Sequence, residues 1–126
     1  MIPRRALLRA VLAVAISLAP TIVLAHSQLV RSDPARRATV TRAPARVQLW
    51  FSERLEPAYA EASVWNAAGT QVDAHDARVD PADPALLAVS TPNLGPGRYT
   101  VRFRVVSVDG HVVESSYTFT VAAAPR

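Results

Sequence analysis

The chain has 126 residues, a formal net charge of +4, ten prolines, seldom-used aromatics and no cysteine. A length of this order suits one domain with one modest core, and the lack of cysteine removes disulfides and thiolate metal ligands together. The arginines form no basic patch interleaved with aromatics, so nucleic acid is not an expected partner.

The first 25 residues have the pattern of a secretory signal peptide. Arg4, Arg5 and Arg9 precede an apolar run, and Val23 and Ala25 place small side chains three residues and one residue before a cut. The run from Ala10 to Ala25 is broken by Ser17 and Pro20. It falls short of the roughly 18 uninterrupted apolar residues of a spanning helix, so cleavage is expected over anchoring. The expected mature domain is therefore 26–126, periplasmic or secreted, starting at His26 and without a membrane anchor. Three of the fourteen basic residues leave with the signal, which lowers the net charge from +4 to +1.

The mature chain has the periodicity of short strands separated by Pro, Gly, Asp and Asn clusters, with no long amphipathic helix. A first strand is expected at Gln28–Arg31. Val47, Leu49 and Phe51 then alternate with Gln48, Trp50 and Ser52 in a strand running to Glu53. Ala62–Asn66 follows, and Ala67, Ala68 and Gly69 form a turn into a strand at Gln71–Ala77. Asp80–Pro84 is a loop, because its prolines do not fit a central strand. Leu86–Ser90 is the next strand, and Asn93–Gly97 a tight turn. Val101, Phe103 and Val105 alternate with Arg102 and Arg104, and Tyr117, Phe119 and Val121 with Thr118 and Thr120. About seven strands in some 100 residues predict an all-β, two-sheet sandwich with Greek-key connections, its core formed by these last two runs and Val47–Phe51.

The candidate chemistry rests on three histidines, His26, His75 and His111. A histidine at a chain start offers its α-amine and its ring Nδ1, which close a chelate on one metal. Flat nitrogen coordination favours Cu(II), which leads the divalent affinity series. His111 would add a second imidazole. Asp109 lies two residues before it in Ser107-Val108-Asp109-Gly110-His111 and would supply an oxygen. The alternative is an ordinary Asp-Gly turn with a solvated histidine beside it. Glu53 is a carboxylate placed to hydrogen-bond a ligand imidazole, or else a plain solvated charge. His75, in an acidic loop between Asp73 and Asp76, reads as a surface histidine.

These elements resemble the CopC family of periplasmic copper-binding proteins. The opening His26-Ser27-Gln28-Leu29-Val30, followed by Ser32-Asp33-Pro34-Ala35, is similar to the family's start. Phe51-Ser52-Glu53 resembles its Phe-Ser-Glu segment, and Gly97–His111 its signature of a tyrosine-bearing strand leading to Ser-x-Asp-x-His. The resemblance implies a cupredoxin-like Greek-key barrel or sandwich, with His26, Asp109 and His111 as Cu(II) ligands and Glu53 in support. One Cu(II) per mature chain is expected, for sequestration or delivery in copper homeostasis and resistance, possible partners including a membrane copper transporter. The chain departs from methionine-rich members: its one methionine is Met1, so no thioether Cu(I) site survives processing.

Two other functions remain open in the sequence. A terminal histidine with a second histidine is also the copper brace of lytic polysaccharide monooxygenases. The short chain, its few aromatics and a shielding Asp109 argue against such an enzyme. A metal-free immunoglobulin-like interaction module would require His26, Asp109 and His111 to be dispersed.

Overall fold

The structure, a computed structural model, describes residues 28–124, so the expected signal segment and His26 lie outside it. Eight strands follow in order among the described residues: β1 (Leu29–Asp33), β2 (Thr39–Val40), β3 (Arg46–Phe51), β4 (Glu61–Asn66), β5 (Arg78–Val79), β6 (Leu86–Ser90), β7 (Gly97–Val106) and β8 (Val112–Val121). One 3-10 turn, Pro57–Tyr59, interrupts them. The strands form two four-stranded sheets, β1-β3-β6-β5 and β2-β8-β7-β4. Most neighbours are distant in sequence, as Greek-key crossovers require. The sheets stay separate, so the barrel form of the expected fold is not adopted and the sandwich is.

Alternation explains which faces meet. Val47, Leu49 and Phe51 of β3, Tyr99, Val101, Phe103 and Val105 of β7, and Tyr117, Phe119 and Val121 of β8 are all buried. Phe51 and Phe103 join the sheets edge to face at 5.6 Å between ring centroids, while the cross-strand pair Tyr99 and Phe119 stacks at 5.4 Å. Such pairs add about 0.5–1.5 kcal/mol beyond the area they bury. Tyr99 also donates its hydroxyl to the Gly95 carbonyl at 2.6 Å, which fixes the entry into β7. On the outer faces, Arg31 stacks over Trp50 and Arg102 over Trp65, covering tryptophans that the core does not take.

The segment 71–77 differs from the expected strand. The buried Asp73 carboxylate accepts the Val64 N–H at 2.8 Å and the His75 N–H at 2.9 Å. Side-chain bonds of this kind compete with a ladder, and His75 adopts φ 57°, which extended backbone does not tolerate. Here the chain changes sheet: Val72 N–H reaches the Val64 carbonyl, then Ala74 N–H reaches Ser90. Pairing resumes only at Arg78 and Val79, opposite Ala88 and Leu87. The parallel strand β2 was not expected either, because two residues carry no period of their own.

Truncating Phe119, 1% exposed at the centre of this core, should cost about 3–5 kcal/mol. Denaturant unfolding of Phe119→Ala is expected to show a lower midpoint at an unchanged slope.

Candidate metal centre

The hairpin formed by β7 and β8 ends in the five-residue tip Ser107–His111. Ser107 N–H donates to the His111 carbonyl at 2.9 Å, and Gly110 N–H to the Ser107 carbonyl at 2.8 Å. Gly110 closes the tip with φ 90°, a backbone state that a side chain would strain although space for a Cβ is open. This turn brings Asp109 and His111 together: Asp109 Oδ2 lies 3.0 Å from His111 Nδ1. The other carboxylate oxygen, Oδ1, accepts a hydrogen bond from the Ser107 hydroxyl.

The two side chains stand 37% (His111) and 38% (Asp109) exposed, while the His111 Nδ1 atom at their contact is itself shielded from solvent. The Ser107 hydroxyl, and then the His111 contact, hold the Asp109 carboxyl down to about 2. It is therefore anionic at any pH where an imidazole is neutral, as a metal ligand or an imidazole-orienting group must be.

A second set of bonds ties the start of the described chain to the same end of the sandwich. Gln28 N–H donates to Ser52 Oγ, and Ser52 N–H returns a bond to the Gln28 carbonyl, both at 2.8 Å. Two residues further on, the Arg54 carbonyl accepts Val108 N–H at 2.9 Å, inside the hairpin tip. Leu55 forms a bridge with Ser107, and Glu56 N–H reaches Val106 at 2.8 Å. Residues 52–56 thus bond to Gln28 on one side and to the tip on the other. Glu53 is half-buried between these two anchored residues.

His75 lies elsewhere, exposed on the crossing segment, with Nδ1 3.3 Å from Gln71 Nε2. That segment bonds to Ser90, which pairs with Arg46, whereas the hairpin tip lies toward the Phe51 end of β3. The expected surface role of His75 agrees with its position. Among the described residues, no three His, Cys, Asp or Glu side chains converge as a metal site. Asp109 and His111 offer one oxygen and one nitrogen, donor types that suit a divalent transition metal. His26, the third expected donor, lies outside the described residues.

Neither Ser52 nor Ser107 has a role that the sequence alone reveals. Serine does not announce chemistry; the available signal was a hydroxyl two residues before an acid at a strand end.

Two sheets and a carboxylate–imidazole pair at a hairpin tip define an immunoglobulin-like β-sandwich with an exposed polar end. The CopC domain model matches residues 29–122, and the chain belongs to the CopC family. It is 36% identical over 123 residues to copper resistance protein C of Xanthomonas campestris pv. juglandis, covering 93% of this chain and 96% of that one. It is 38% identical to protein YobA of Escherichia coli K12 over 106 residues, 83% of this chain and 86% of that one. The crystal structure of CopC from Methylosinus trichosporium OB3b superposes with a TM-score of 0.74 at 38% identity, covering 80% of this chain and 98% of that one.

The low value for Asp109 has a consequence for acid stability. A carboxyl at about 2 in the folded protein, against 3.8 ordinarily, contributes stability that is complete above 3.8 and lost as the pH falls through about 2. In the metal-free protein, Asp109→Asn should flatten that part of the stability profile, read from denaturant midpoints taken along a pH series.

Proposed function

We propose that the mature chain is a non-enzymatic protein that binds one Cu(II) outside the cytoplasmic membrane and sequesters or delivers it. Its donors are the α-amine and ring of His26, His111, and Asp109. Family membership supports copper as the cargo, as do relatives named copper resistance protein C. The observation that carries the site is the double attachment of residues 52–56, to Gln28 and to the hairpin tip. Two residues span at most about 7 Å, so a chain that begins at His26 starts within that reach of the anchored Gln28.

Each residue then has a definite task. Removal of residues 1–25 frees the amine of His26, which an uncleaved chain holds as an amide. Asp109 offsets part of the metal charge and meets His111. Glu53 supports a ligand imidazole from beside Ser52. A membrane copper transporter is the proposed recipient or source.

Copper titration against a competing chelator tests the site. Protein beginning at His26 should retain one Cu(II) per chain, and His75→Ala should match it. A form with one alanine added before His26 should bind more than about tenfold more weakly, a loss of about 1.4 kcal/mol. Equal affinity in the extended form would overturn the proposed donor set. Affinity should also decline as the pH falls from 8, because protons compete with the metal for the amine and imidazole nitrogens.

A further inference from the structure

We infer that Ser107 is a positioning residue for the copper centre: its hydroxyl pins the Asp109 carboxylate beside His111 Nδ1, so the two donors are oriented before metal arrives. The inference rests on reading Asp109 and His111 as copper donors.

Ser107 is fully buried, at 0% exposure, whereas the two groups beyond it stand more than a third exposed. Its backbone is held on both sides, by the bridge to Leu55 and by the N–H bond to the His111 carbonyl. The hydroxyl therefore works from a rigid base, as a group that orients others must. Two acceptors lie near it. The His111 carbonyl is 3.4 Å away, at the limit of a hydrogen bond, while Asp109 Oδ1 is the nearer acceptor. The hydroxyl is thus directed outward, to the carboxylate.

The effect on Asp109 follows from its exposure. A solvated aspartate divides its time among staggered rotamers. Among the described residues the other donor to Oδ1, the His111 N–H, is a long 3.4 Å away, so Ser107 is what holds that oxygen. With Oδ1 held, Oδ2 is the oxygen left facing Nδ1 at 3.0 Å. Removing the hydroxyl frees the carboxylate to turn into water. Outer groups that orient metal ligands typically carry about 10–100-fold of the affinity.

The test uses protein beginning at His26 and reads both Cu(II) affinity, by chelator competition, and the electron paramagnetic resonance spectrum of the loaded protein. Ser107→Ala should bind about 10–100-fold more weakly with altered g and hyperfine values. Ser107→Thr and Ser107→Val fill nearly the same space and differ in the hydroxyl, so they separate orientation from packing. Thr should keep the wild-type spectrum and Val should lose it. The inference is overturned if Ala matches wild type, or if Thr and Val behave alike. Failure of the wild-type protein itself to retain Cu(II) overturns the copper reading, and this inference with it; wild-type binding with an indifferent Ser107 overturns the inference alone.

Discussion

Ten consecutive cross-strand pairs join β7 to β8, from Gly97 opposite Val121 to Val106 opposite Val112. The register cannot slip, because a shift of one residue would turn Tyr99, Val101, Phe103 and Val105 from the core to water. The same register leaves five residues, Ser107–His111, to close the hairpin. The hydrophobic core therefore dictates, at a distance, where a carboxylate and an imidazole stand. It also explains why the polar pair can lie in the open: the tip is anchored by buried strands and by Ser107, and needs no burial of its own charges.

The two halves of the proposed centre have different physical origins. Asp109 and His111 are placed by a local turn at the end of a rigid hairpin. The chain start is placed by long-range bonds across residues 52–56, which connect Gln28 to Ser52 and Val108 to Arg54. One half is available from folding alone. The other depends, in the proposed function, on removal of the leader, so export and assembly of the copper donors become one event.

Much of the fold was legible because alternation maps directly onto burial: the runs Val47–Phe51, Val101–Val105 and Tyr117–Val121 all enter the core, where Val64, Leu87 and Val89 join them. The segment 71–77 was not, since its pattern is overruled by an inward carboxylate at Asp73 that periodicity does not reveal. Strand β2 exists because Thr39 and Val40 lie beside Thr120 and Val121, a tertiary fact. At the site, an Asp-Gly turn and a converging acid–histidine pair were set against each other as alternatives. The structure joins them, for the turn itself produces the 3.0 Å contact. Family resemblance, and not spacing, gave that string its meaning, and neither could assign work to Ser52 or Ser107.

In the proposed function a single copper ion sits at the hairpin tip, joined to the freed chain start. A crystal structure of copper-loaded protein beginning at His26, with anomalous data collected at the copper edge, tests this most directly. One anomalous peak is expected, bonded to the amine and ring of His26, to the ring of His111 and to the Asp109 carboxylate. A peak at His75, or an ordered Asp109–His111 pair with no copper at it, would rule out a copper centre at the tip.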